Sequence, residues 1–179
     1  MATAPRPAQI DIRIGRVDQL FQTFDPSPFR ERDLDPDATA FIVDWARELN
    51  RRVPIEIHLN VKDSGPERDA PEDVSAAVRC YFEHRAEVAE RELRELFRFG
   101  RIYLAIGLLI LVLALFGAEI LVLKFGESPS LSLIAESLII LGWVVNWRPL
   151  EIFLYEWRPM RRDANLFRRL AAARIKVQG

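Results

Sequence analysis

Two stretches of the chain are apolar with almost no polar interruption. Ile102–Leu123 reads IYLAIGLLILVLALFGAEILVL, and after the break KFGESPS comes Leu131–Trp147, LSLIAESLIILGWVVNW. A helix needs about 20 apolar residues to cross a hydrocarbon core, so the first stretch is long enough and the second is close to the minimum. The buried helix of a soluble domain is the competing reading, but such helices rarely stay apolar on every face for this length. The pattern predicts a two-span transmembrane hairpin within residues 102–157.

The flanks carry shorter periods. Ile10, Ile12 and Ile14 alternate with Asp11 and Arg13, a period of two that predicts a half-buried strand. Val17, Leu20, Phe21 and Phe24 fit a helical turn or a loop packed on the core. Asp25–Asp37 (DPSPFRERDLDPD) is rich in proline and acid and reads as a loop. Asp35 followed by Pro36 is a helix start, an Asx cap and then proline at the first helical position. The helix from Pro36 to Leu49 is expected to bury Phe41, Ile42, Trp45 and Leu49. Val53–Val61 (VPIEIHLNV) predicts a second strand, with Glu56, His58 and Asn60 on its polar face, and Pro54 marks an edge or a strand start. Residues 62–70 are a polar loop.

From Pro71 to Arg101 the pattern predicts one long helix, with Glu72 and Asp73 at the positive end of its dipole. Phe82, Ala86, Ala89, Leu93 and Leu96 form a short heptad seam. Only Gly100 weakens the join to the first span, so the helix is expected to enter the membrane without a break. Beyond the second span, Trp147-Arg148-Pro149 repeats as Trp157-Arg158-Pro159. The second helix either stops at Trp147 or continues to Trp157 with a kink at Pro149, and the continuous path fits the apolar stretch between them better. Met160–Val177 reads as a basic amphipathic helix.

The expected fold class is therefore an α+β membrane protein: a small N-terminal cytoplasmic α/β domain (1–70), a long cytoplasmic helix continuous with the first span (71–101), a transmembrane helical hairpin (102–157) and a basic C-terminal cytoplasmic helix (158–179). Two strands make a poor sheet with open edges, which suggests completion between subunits and a homo-oligomer.

Charge sets the expected orientation. Net charge is -1, which gives no global basic signature for nucleic acid. Arg91, Arg94, Arg98 and Arg101 precede the first span. Arg158, Arg161, Arg162, Arg168, Arg169, Arg174 and Lys176 follow the second, whereas only Lys124 and Glu127 lie between the two. The positive-inside rule then places both termini of this multi-pass protein in the cytoplasm and the turn outside. Arginine greatly outnumbers lysine, as in a GC-rich bacterial genome, so the expected membrane is a bacterial inner membrane. Met1–Gln9 has no apolar core, so no cleaved signal peptide is expected. The single Cys80 suits a reducing compartment.

Candidate chemistry is sparse. Folding the hairpin about residues 127–128 brings Glu119 and Glu136 to matching depth. A carboxylate facing lipid is costly, so these two read as pore or protonation groups, or as acids near enough to the surface to be solvated. Asn146, Arg148 and Glu151 form a second polar group, as a gate at the kink or an interfacial anchor, with Arg148 and Glu151 able to pair along one helix face. Asp33, Asp35 and Asp37 share the spacing of a calcium loop, but Ala38 stands where its glycine is needed and helix capping explains the acids better. His58 and His84 are isolated, and no zinc, P-loop, GxGxxG or GxSxG spacing occurs. No catalytic residue, cofactor or metal is expected. The composition points to a non-enzymatic, membrane-anchored oligomeric protein that binds a cytoplasmic protein partner. A small homo-oligomeric ion channel or transporter with the glutamates near its pore is the alternative.

Overall fold

The computed structural model describes residues 7–22, 28, 32–51, 53–62, 71–126 and 128–178. The expected lead through residue 6, Phe24, most of the proline-rich loop, the polar loop 63–70 and Glu127 lie outside them. The chain is mostly helical with one small parallel sheet. It divides into two compact units, residues 1–89 with 162–179, and residues 90–161.

The first unit contains β1 (Ala8–Ile14), α1 (Pro36–Glu48), β2 (Ile55–Val61), the start of α2 (Pro71–Phe125), the end of α5 (Trp157–Ala171) and β3 (Arg174–Gln178). The period of two in β1 and β2 turns Ile10, Ile12, Ile55, Ile57 and Leu59 into the core. The strands are parallel in the order β1-β2-β3, with Ile10 opposite Ile57 and Ile57 opposite Ile175. Pro54 immediately precedes β2, where its missing N–H breaks no ladder bond.

β3 corrects the expectation for the C-terminus. The helix ends at Ala171, and the continuous helix expected over 160–177 gives way to a strand. RIKVQ alternates polar and apolar positions over only five residues, too short to interrupt the strong helical pattern before it. Pairing with β2 decides its conformation. The sheet expected to need a second subunit is thus extended by the chain's own C-terminal strand.

α1 corrects a second expectation. Asp35 caps it as foreseen, accepting from the backbone N–H of Asp37 at 2.9 Å and of Ala38 at 3.3 Å, with Pro36 next. Its buried residues, however, are Thr39, Ile42, Val43 and Ala46. Leu49 is half-buried, while Phe41 and Trp45 face outward. The buried face is the one carrying Thr39, Ile42, Val43 and Ala46, and the two largest side chains are left outside. Asp35→Ala is expected to destabilise this unit by about 1 kcal/mol, read as a lower midpoint in chemical denaturation with an unchanged slope.

Val74, Ala77, Val78, Phe82, Ala86 and Ala89 of α2 and Ala164, Leu166, Phe167 and Leu170 of α5 complete the core. The first three positions of the expected heptad seam are therefore taken by the chain's own packing. The buried Thr39 hydroxyl finds a partner in the Tyr81 hydroxyl at 3.3 Å.

The second unit is built on two helices long and apolar enough to cross a membrane, with only 17% of each apolar window buried. That exposure is opposite to what a soluble core helix shows. α2 runs unbroken from Pro71 through the first apolar stretch and ends at Gly126, whose φ of 76° is the left-handed conformation of a helix C-cap. Ser128 then caps α3 (Pro129–Val145), accepting from the Leu131 N–H, with Pro129 at the first helical position. Past Val145 the path stays helical: α4 (Trp147–Glu151), a π-helical turn (Ile152–Glu156) and α5. The chain thus continues beyond Trp147 as a helix, and its irregularities sit at Asn146 and Ile152–Glu156.

Small residues set the approach of α2 to the returning chain. A Cβ at Gly117 would meet Leu138 at 3.2 Å, one at Gly142 would meet Leu111 and Ala114, one at Gly107 would meet Asn146, and one at Gly100 would meet Ile152 at 2.9 Å. Close packing of this kind is how apolar helices associate where burial from water offers no drive. Gly100 is a packing position, which its place in the sequence did not reveal.

Candidate functional site

The antiparallel contact pairs just described step regularly along the hairpin, so Glu119 and Glu136 fall level with one another. Both are exposed on the single hairpin. Among the described residues neither has a hydrogen-bond or ion-pair partner.

Asn146 behaves differently. It is only 6% exposed, and its Nδ2 donates to the carbonyls of Gly107 at 3.0 Å and Gly142 at 2.9 Å. It bonds across the hairpin through the space that Gly107 leaves. This makes it a packing element between the helices of the hairpin.

Arg148 pairs with Glu151 at 3.2 Å, as the three-residue spacing predicts, and Glu151 also accepts from Trp147 Nε1 at 3.1 Å. The structure adds Glu156, which accepts from both terminal nitrogens, Nη1 and Nη2, of Arg148. Glu156 is eight residues away, beyond ordinary helix-pair spacing, so no local pattern marks it. The π-helical turn sits between them. Nearby, Trp157 Nε1 donates to the Phe153 carbonyl at 2.8 Å, and the Phe97, Phe153 and Trp157 rings gather around a crevice lined also by Leu93 and Arg161.

In the first unit the sheet shows an unusual feature. Parallel sheets are generally covered on both faces. Here one face carries the core, and the other carries only polar side chains. Gln9, Glu56 and Arg174 lie in one row across the strands, and Asp11, His58 and Lys176 in the next. Glu56 sits at the centre, 3.0 Å from Lys176 Nζ and 3.8 Å from Arg174. His58 Nε2 lies 3.4 Å from Glu56, and its Nδ1 lies 2.8 Å from the Gln9 amide nitrogen. Arg174 and Lys176, read from sequence as flanking cations of the hairpin, belong to this face.

The Lys176 hydrogen bond holds the Glu56 carboxyl below its usual range against the opposing effect of burial, and the His58 contact adds to the lowering. A depressed carboxylate pKa contributes stability above the unfolded-state value. That contribution is lost as pH falls through the lowered folded value. Lys176→Met is therefore expected to lower neutral-pH stability slightly and to flatten the acid limb of a pH–stability profile. An acid limb identical to wild type would contradict this role for the pair.

The outer face of α1 is the third feature. Phe41 is 43% and Trp45 48% exposed, with ring centroids 5.9 Å apart. Periodicity suggested a buried pair because bulky aromatics on a helix usually mark its core face. The helix instead buries the face with Thr39, Ile42, Val43 and Ala46, which leaves them outside.

No protein-family model, curated protein or solved structure matches the chain.

Proposed function

We propose that this is a non-catalytic, membrane-anchored oligomeric protein of the bacterial inner membrane whose N-terminal unit holds a protein partner in the cytoplasm. The observation that carries the reading is the exposed Phe41–Trp45 pair on α1. Large aromatic side chains outside the core supply much of the binding energy at protein interfaces. The chain keeps them there while burying the face with Thr39, Ile42, Val43 and Ala46. The hairpin supplies the anchor. Support for both flanks being on one side of the membrane comes from the sheet, since β2 precedes the hairpin, β3 follows it, and the two are adjacent strands.

Photo-crosslinking from position 41 in native membranes is expected to give one discrete adduct that Trp45→Ala removes without lowering the amount of membrane-held protein. An adduct of twice the 20.7 kDa chain mass identifies a second copy, and any other single mass a different protein. Absence of a discrete adduct contradicts the reading.

A small homo-oligomeric ion channel is the second reading, favoured by one fact: Glu119 and Glu136 are level and exposed, and in a bilayer they call for a covering of polar groups or water. Flux in liposomes that Glu136→Gln alters with assembly intact would replace the first reading with this one.

A further inference from the structure

Four arginines line one cleft of the first unit. The end of α1 and the turn after it bring Arg47 and Arg51, and α5 brings Arg162 and Arg169. Ala46, Asp163, Asn165 and Leu166 complete a volume of about 260 Å³, several times the ~30 Å³ share of a water molecule. Asp163 is the only acid in the lining, and Arg47 takes it at 3.4 Å while also pairing with Asp44 at 3.3 Å. Arg169 is fixed in place, since its Nη2 donates to the carbonyls of Asn50 at 3.0 Å and Val53 at 3.1 Å. Arg51 and Arg162 have no acidic partner among the described residues.

Like charges gathered this way repel. Burial and the neighbouring Arg51 both hold the Arg169 pKa below its usual range, burial more strongly. Solvated side chains of this length would normally spread apart. Here the pair of backbone carbonyls holds Arg169 in place, and the end of α1, its following turn and α5 set the exposed Arg47, Arg51 and Arg162 around it.

We propose that this cleft binds a phosphate group, with Arg51 and Arg162 donating to its oxygens and Arg169 forming a fixed cationic wall. Guanidinium is planar and donates in a fork, which matches the oxygen spacing of phosphate. A phosphomonoester offers three acceptor oxygens and close to two negative charges, enough to engage several guanidiniums at once. A single carboxylate offers two oxygens and one charge. The phosphate belongs either to an anionic lipid headgroup or to a soluble molecule. Arg162 follows the second apolar stretch and Trp157, which it trails by five positions in the chain. This inference rests on the first unit alone and stands apart from the partner-holding role.

The test uses the full chain in nanodiscs and reads amide hydrogen exchange at residues 48–53. In zwitterionic discs, inorganic phosphate is titrated in. In a second set, phosphatidylglycerol or phosphatidic acid replaces part of the zwitterionic lipid with no phosphate added. Protection by inorganic phosphate supports a soluble source, and protection only in the anionic discs supports a headgroup. In either arm Arg51→Gln and Arg162→Gln are each expected to weaken binding about tenfold. Arg158→Gln, exposed and outside the cleft, is expected to leave it unchanged. No protection in either arm overturns the proposal. Equal weakening by Arg158→Gln also overturns it, since that would show general electrostatic attraction.

Discussion

A chain that stops after Ala173 is expected to lose the folded N-terminal unit while keeping its apolar helices. β3 covers one edge of β2, placing Ile175 beside Ile57 and Val177 beside Leu59. Its two inward side chains are half-buried, contributing roughly 1 kcal/mol each, and each ladder hydrogen bond adds about 1 kcal/mol net. The sum approaches the low end of the roughly 5–15 kcal/mol that holds whole domains together. What remains would be two strands, a marginal sheet with the fully buried core of β2 newly open at its edge. The expected result is rapid exchange of the Ile55–Val61 amides and proteolytic loss of residues 1–89, with α2 and α3 still protected beyond Ile102. Ile175→Asp should reproduce this in a full-length chain by placing a charge on the core face. Unchanged protection of β2 in both variants would show that β3 contributes little.

Gly107→Ala is expected to have the largest effect of any single methyl added in the hairpin. Its Cβ would lie 2.6 Å from Oδ1 and 3.0 Å from Cγ of Asn146. An exposed side chain would swing aside, but this one is buried and tied to Gly107 and Gly142 by two hydrogen bonds. Either the helices part or the amide leaves its partners. Overpacking costs about 1–3 kcal/mol, and the one interhelical hydrogen bond, to Gly107, is worth about 0.6 kcal/mol in lipid. Gly107→Leu should be worse. Asn146→Ala alone loses the hydrogen bonds but opens space, so Gly107→Ala combined with Asn146→Ala should be less damaging than the sum of the two. Steric-trap or denaturant unfolding in bicelles measures all corners of the cycle. Strict additivity would mean that the contact does not govern the hairpin.

The two helical stretches of the hairpin, the unbroken passage of α2 into the first, the cap at Asp35 and the inward residues of β1 and β2 were legible because each follows a local period or a local cap. The features that escaped are products of long-range contacts. β3 is five residues of weak alternation whose conformation depends on an edge more than a hundred residues earlier in the chain. Phe41 and Trp45 look like core by periodicity, and only the seat of α1 on the sheet turns them out. Among the residues singled out in the hairpin, Glu119 and Glu136 do fall level, and Arg148 does pair with Glu151. Asn146 was visible as a polar break but its role was not, because Gly107 lies 39 positions away. The arginine cleft was hidden for the same reason: its cations appear in the sequence as two separate basic stretches, and only the packing of α5 beside α1 brings them together.

The central claim is that the hairpin crosses a membrane and returns, so that β2 and β3 can meet on one side. Cysteine accessibility in spheroplasts tests it most directly, using the native exposed Cys80 and, in a Cys80→Ser background, Glu127→Cys and Gln178→Cys. The expected result is that a membrane-impermeant maleimide labels position 127 in intact spheroplasts and reaches positions 80 and 178 only after the membrane is opened. Labelling of 80 and 178 from opposite sides would contradict the account, as would failure to reach 127 from outside.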